Sequence, residues 1–188
     1  MKKYLESYAF LFTIAGLIIL LDQLTKHLVR SNLALQETWS PWAWLAPYAR
    51  IVNWKNTGAA FGILQDFNTV FAVLAVVVSL AILYFFPRVE KSEWPLRIAL
   101  AMQMGGALGN LIDRLTQGYV TDFVSLGGFA VFNVADASIS VGVAVLVIGV
   151  WLRERQQLAQ NRSQHTPVQV EAGKLQEEIR AGEDQSVE

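Results

Sequence analysis

Four long, nearly uncharged stretches constrain this chain more than any other feature. They are "YAFLFTIAGLIILLDQLTKHL" at about 8–28, "TVFAVLAVVVSLAILYFF" at about 69–86, "LRIALAMQMGGALGNLIDRL" at about 96–115, and a run at about 134–152 that continues from "FNVADASIS". Each approaches the roughly 20 apolar residues needed to cross bilayer hydrocarbon as a helix. Backbone polar groups in lipid must pair within their own segment, so such stretches can only be helical or belong to a closed barrel. The rest of the composition agrees. Of 188 residues 53% are hydrophobic and only 16% charged, whereas soluble domains carry about 25% charge. Much of that charge is crowded into the last 36 residues.

Lys and Arg in short loops set the orientation of such a bundle. Lys2 and Lys3 precede the first stretch, Arg88, Lys91 and Arg97 lie between the second and third, and Arg153 and Arg155 follow the fourth. These mark the inner side, so both termini are expected in the cytoplasm. The N-terminal stretch has a basic start like a secretory signal, but no small-x-small cleavage site closes its apolar core; it reads as an uncleaved first helix.

With this orientation the unusual polar residues fall at one level. Asp22 and Lys26 end the first span, Asn110, Asp113 and Arg114 end the third, and Asn133 and Asp136 begin the fourth. All lie near the outer membrane face. The middles of the spans are almost wholly apolar, which favours chemistry at the surface over a polar path through the bilayer.

The outer loop, residues 29–68, contains "TWSPWAWLAPYA", an aromatic segment suited to a short interfacial helix. It also contains "RIVNWKNTGAAFGILQ", with strand-like ends around a polar centre where a substrate backbone could pass close to small residues. "LTQGYVTDFVSLGGFAVFN", joining the third and fourth spans, predicts a small extended element. Residues 156–188 form a polar tail, expected to be disordered and cytoplasmic, outside the membrane domain at 1–155.

Several chemistries are unsupported. The chain has no cysteine, which removes disulfides, thiol nucleophiles and cysteine metal sites. Two histidines do not make a histidine-rich metal site, and neither a nucleophile elbow nor a phosphate-binding loop occurs. A net charge of -1 gives no basic surface for nucleic acid.

Asp122 and Asp136 are the central candidates. Carboxylates near hydrocarbon are costly and are neutralised, paired or used. Two that share a site split their titrations, so one is protonated while the other is ionised. Such a pair can draw a proton from water and give one to a leaving amine, which suits amide hydrolysis without metal or serine. Asn133, three residues before Asp136, is a candidate helix N-cap or a donor to a carboxylate. Asn110 and Arg114 share a helical face at i,i+4. Asp22 and Lys26 have the same spacing and form a candidate ion pair bracing the site. Asp113 is expected to face outward or pair locally, and Asn53 and Asn56 lie in the extended segment, where turn formation accounts for either one. On these residues alone, a small proton-coupled transporter and a membrane scaffold protein remain alternatives.

"DQLTKH" at 22–27, "NWKNTGAAFG" at 53–62, "GGALGNLIDRLTQGYVTDF" at 105–123 and "FNVADASIS" at 132–140 together resemble the lipoprotein signal peptidase family, also called signal peptidase II. The likeness spans roughly residues 8–152. It implies an all-α polytopic membrane protein with four transmembrane helices, a small extracytoplasmic β-cradle and an interfacial helix. It implies catalytic roles for Asp122 and Asp136, with supporting roles for Asp22, Lys26, Asn53, Asn110, Arg114, Asn133 and Ala135. The implied activity is aspartyl endopeptidase cleavage of bacterial prolipoproteins just before a diacylglyceryl-modified cysteine, sensitive to globomycin and without cofactor or metal. The implied setting is the bacterial inner membrane, among phospholipid, and nothing in the sequence requires more than a monomer.

Overall fold

The computed structural model describes residues 2–58 and 65–164. Its elements run α1 (Lys2–Asn32), β1 (Thr38–Trp39), β2 (Ala49–Asn56), α2 (Asn68–Phe85), a 3-10 turn (Phe86–Arg88), α3 (Trp94–Gln117), β3 (Val120–Leu126) and α4 (Val134–Gln164). The four long helices fall on the four apolar stretches. Three segments, Tyr4–Asn32, Asn68–Arg88 and Val134–Ala159, are long and apolar enough to cross a membrane.

α3 is more polar for a reason visible in its burial. It packs against α1 and α2 and meets α4 through Gly106 and Ser138. Its polar side chains turn into these contacts: Arg97, Asn110 and Asp113 are all buried. Protein surrounds them, so the polar groups are paired instead of being presented to lipid. At one end Arg97 lies over the rings of Phe10 and Phe86 and donates to the Val89 carbonyl at 3.0 Å. Beside it, Leu11, Ala15, Ile82, Phe86, Ala101 and Met104 make the apolar core.

Small residues bring the helices together. A Cβ on Gly105 would lie 3.0 Å from the Ala15 carbonyl oxygen on α1, and one on Gly106 would lie 2.5 Å from the Ala135 carbonyl oxygen on α4. Such close approach is the usual role of small residues between helices in membranes.

The extended elements form a three-stranded antiparallel sheet in the order β1-β2-β3. The pairing of β2 with β3 sets Trp54 opposite Asp122, after an irregularity between Ile51 and Trp54. Gly118 ends α3 with a φ of 77°, a left-handed turn that glycine makes without steric cost and that sends the chain directly into β3.

The interfacial helix expected in "TWSPWAWLAPYA" is not formed. β1 takes Thr38 and Trp39, and residues 41–48 make consecutive turns closed by bonds such as Tyr48 N to the Leu45 carbonyl at 2.8 Å. Pro47 has no N–H to continue a helical ladder, and Pro41 follows a strand. The aromatic exposure survives: Trp39, Trp42, Trp44 and Tyr48 all face outward, with Trp42 and Trp44 stacked.

The chain divides into two compact units, residues 1–146 and 147–188. The first contains the sheet, α1 to α3 and the start of α4. In the second, α4 continues to Gln164 with exposed side chains through Ala159, and Arg155 lies over the Trp151 ring. Most of the expected polar tail, and residues 59–64, which include the last four of "NTGAAFG", lie outside the described residues.

Candidate active site

The start of α4 places one of the two candidate carboxylates. Asn133 immediately precedes the helix, and its Oδ1 accepts from the Asp136 backbone N–H at 2.9 Å. The Asp136 Oδ2 in turn accepts from the Asn133 backbone N–H at 3.2 Å. This is a reciprocal capping box, with Asp in the place usually held by Glu or Gln. An acid in the first turn also meets the positive end of the helix dipole.

β3 places the other. Asp122 is 1% exposed. Its Oδ1 accepts from Asn133 Nδ2 at 2.7 Å and its Oδ2 from Asn56 Nδ2 at 2.8 Å. Asn133 therefore touches both carboxylates, one through its side chain and one through its backbone. Burial, together with the nearby Asp136 carboxylate, pushes Asp122 up to about 7, against the pull of the Asn56 and Asn133 donors and the more distant Lys26.

Both aspartates open onto one cavity of about 500 Å³, lined also by Asn56, Asn110 and Arg114 and walled by Phe71, Val120, Phe129, Phe132 and Ile139. A second cavity of about 350 Å³ runs between α2, α3 and α4 and shares Phe71, Asn110, Arg114 and Ile139 with the first.

Behind the cavity lies a buried polar layer. Asn110 Nδ2 donates to Asp136 Oδ1 at 2.8 Å, while Asn110 Oδ1 accepts from Asn133 Nδ2 at 3.1 Å and from Lys26 Nζ at 2.9 Å. Lys26 and Asp22, both 0% exposed, form the expected i,i+4 pair at 2.8 Å. Asp22 also accepts from the Ala135 N–H at 3.0 Å, which ties α1 to the start of α4. Ala135 is fully buried where α3 presents Gly109. Removing one partner from such a buried ionic cluster is strongly destabilising, because the charge left behind is uncompensated.

Arg114 reaches the cavity from α3. It donates to the Asn110 carbonyl at 3.4 Å and lies over the Phe71 ring, but its buried Nε has no partner among the described residues. Asn53 is elsewhere. Its Nδ2 donates to the Leu33 carbonyl at 2.9 Å, and its backbone bonds Gln36 and Glu37, so it fastens the loop after α1 to β2.

Two residues matter more than the sequence reading allowed. Asn56, treated as a turn residue, does bond the Gly58 N–H with its Oδ1, but it spends its amide donor on Asp122. Asp113 does not face outward. It is 0% exposed, paired with Lys26 and Arg30, and accepts from the Thr121 N–H at 2.9 Å, which docks β3 one residue before Asp122. The available signal was its i,i+3 spacing from Asn110, which puts the two on neighbouring positions of one helical surface.

The fold and site thus define a helical protein with three segments long and apolar enough to cross a membrane and a pair of carboxylates joined through Asn133. The profile of the signal peptidase II family matches residues 14–152, and the chain belongs to that family, a family of proteases. The lipoprotein signal peptidases of Staphylococcus aureus strains Newman and N315 are each 30% identical to it over 151 residues, covering 78% of this chain and 90% of theirs. Two solved structures of bacterial membrane enzymes, obtained by the in meso method, share the fold. One, at 2.3 Å resolution, superposes with a TM-score of 0.68 at 27% identity, covering 84% of this chain and 92% of its own. The other, at 1.9 Å, gives 0.66 at 29% identity, covering 74% and 91%.

Proposed function

We propose that the protein is an aspartyl endopeptidase that removes the signal peptide from diacylglyceryl-modified bacterial prolipoproteins, cutting on the N-terminal side of the lipidated cysteine. Family membership supports prolipoprotein cleavage. The observation that carries the aspartyl mechanism is the shared residue Asn133, which bonds Asp122 and Asp136 at the wall of one cavity.

In this mechanism one carboxylate is ionised and the other protonated. The ionised one takes a proton from water as the oxygen attacks the scissile carbonyl carbon. The other donates its proton to the amide nitrogen, the carbon–nitrogen bond breaks, and the products are a signal peptide carboxylate and the amine of the lipidated cysteine. An Asp122 that titrates near 7 suits a pair sharing one proton around neutral pH. Asn110 is a candidate to steady the oxyanion, and Arg114, which lines the cavity, is a candidate to bond substrate backbone. The predominantly apolar walls accept a lipid-bearing, hydrophobic substrate without stranding its apolar groups in water.

The accompanying architecture is four membrane-crossing helices in residues 1–155, α3 being shielded by its neighbours, with both termini and the tail at 156–188 on the cytoplasmic side. The carboxylate pair then sits at the outer face of the inner membrane, with the aromatic turns at 41–48 against phospholipid, and one copy of the chain contains every residue invoked. The test is cleavage in detergent of a diacylglyceryl-modified prolipoprotein and its unmodified form by wild type, Asp122→Asn and Asp136→Asn. Loss of cleavage in both variants, with folding retained, is expected; full cleavage by either would remove the mechanism.

A further inference from the structure

The hydrolysis proposed above makes no direct use of Lys26, although Lys26 is completely buried beside the site. Its ammonium has three hydrogens and three acceptors: Asp22 Oδ2 at 2.8 Å, Asn110 Oδ1 at 2.9 Å and Asp113 Oδ2 at 3.4 Å. An ammonium donates and never accepts. The Asn110 atom facing it must therefore be the carbonyl oxygen, and the Asn110 NH2 must face the other way, onto Asp136 Oδ1 at 2.8 Å.

A second donor acts on the same oxygen. Asn133 Oδ1 accepts from the Asp136 N–H, a backbone donor that fixes the sense of the Asn133 amide by itself. The Asn133 NH2 then reaches Asp122 Oδ1 at 2.7 Å and Asn110 Oδ1 at 3.1 Å. An amide turned over exchanges donor for acceptor at nearly the same shape, so shape alone does not choose between the two senses. A carboxylate facing an amide oxygen is satisfied only when protonated; facing an amide NH2 it is satisfied when ionised.

We infer that Lys26 is a positioning residue for the carboxylate pair: together with the Asn133 NH2 it holds the carbonyl oxygen of Asn110, and so keeps the NH2 of Asn110 turned onto Asp136. The inference rests on the proposed role of that pair. The competing role for Lys26 is neutralisation of Asp22 and Asp113 alone. Each of these has other partners: Ala135 N and Gln23 for Asp22, Arg30 and Thr121 N for Asp113.

Cleavage kinetics of the full-length protein in detergent separate the two roles. The variants are Lys26→Met and the double variant Asp22→Asn/Lys26→Met, which removes the α1 ion pair as a unit while leaving an oxygen for the Ala135 N–H. Each is made in wild type and in Asn110→Ala. In whichever of the two folds, judged by its melting temperature, kcat should fall about tenfold or more, the scale of one lost hydrogen bond to a charged group, with KM changed less than about twofold. In the Asn110→Ala background the same substitution should cost less than about twofold, since contacts made through one residue are not additive. An equal loss in both backgrounds, a rise in KM at constant kcat, an unchanged kcat, or loss of folding in both variants would each overturn the inference in favour of a structural role. Failure of the pair reading itself shows separately, as cleavage by Asp122→Asn or Asp136→Asn.

Discussion

Asn133 and Asp136 cap one another: each accepts the other's backbone N–H with a side-chain oxygen, at 2.9 and 3.2 Å. The start of α4 and the orientation of a candidate catalytic carboxylate are therefore set by the same two bonds. Asn133 also supplies the amide that reaches Asp122, so one side chain serves the fold through its oxygen and the site through its nitrogen.

That division is separable by mutation. Asn133→Asp keeps an oxygen for the cap and loses the amide donor; Asn133→Ala loses both. Loss of the cap costs about 1 kcal/mol. The expected result is a lower melting temperature in detergent for Asn133→Ala than for Asn133→Asp. Both should lose cleavage by about tenfold or more, the scale of a lost hydrogen bond to a charged group. Activity in Asn133→Asp near that of wild type would show that the amide contributes nothing to the reaction.

The glycines of α3 make a second prediction. A Cβ on Gly109 would fall 2.7 Å from Asp22 Oδ2, the carboxylate that holds Ala135 N–H and Lys26. A Cβ on Gly106 would fall 2.5 Å from the Ala135 carbonyl oxygen and 2.6 Å from Ser138 Oγ. Neither contact can relax without moving α4 or the ion pair. Gly106→Ala and Gly109→Ala should each destabilise by about 1–3 kcal/mol, the usual cost of overpacking. Both should reduce cleavage as the capping box shifts. Gly16→Ala is the control, since nothing lies within 4 Å of its added carbon; its melting temperature should stay level or rise.

What could be read in the sequence follows from what each signal depends on. Apolar runs located all four long helices because a long, nearly uncharged run satisfies its backbone polar groups most simply within its own segment. The i,i+4 spacing of Asp22 and Lys26 gave their ion pair because helical geometry alone brings such residues together. That Asp22, Lys26, Asn110, Asn133 and Asp136 share one end of the bundle was legible from alternating helix direction, whereas Asp122 joins them through β3, which helix direction does not place. Asn56 was missed because its contact with Asp122 depends on the β2–β3 register, where a one-residue slip would turn the side chain to the other face. Asp113 was expected to face outward or pair locally, but its partners come from α1 and β3, which the geometry of its own helix does not specify. The aromatic turns were misread as a helix because surface-seeking composition specifies location, whereas Pro47 decides the backbone.

The Asp122 environment predicts a pH dependence of stability. Its carboxyl is raised from about 3.8 in the unfolded chain to about 7 in the fold, chiefly by burial. Between those values the folded protein binds more proton than the unfolded, so its contribution falls as pH rises. That contribution is fully present below about 3.8 and is lost by the time pH has passed about 7. The melting temperature of wild type in detergent should therefore decline from pH 5 to pH 8 more steeply than that of Asp122→Asn, which has no titrating group there. Parallel pH profiles for the two proteins would show that Asp122 titrates as an ordinary exposed carboxyl.

The proposed orientation can be checked without disturbing the site, because the chain contains no cysteine to compete with introduced ones. Trp42 lies exposed among the aromatic turns on the sheet side of the bundle, and Glu90 lies exposed between α2 and α3. With basic residues Arg88, Lys91 and Arg97 retained inside, Glu90→Cys belongs in the cytoplasm and Trp42→Cys outside. An impermeant thiol reagent added to intact cells should label Trp42→Cys and leave Glu90→Cys unmodified until the membrane is opened. The reverse pattern would put the carboxylate pair on the cytoplasmic face, where a signal peptide already threaded through the membrane would present its cleavage site on the wrong side.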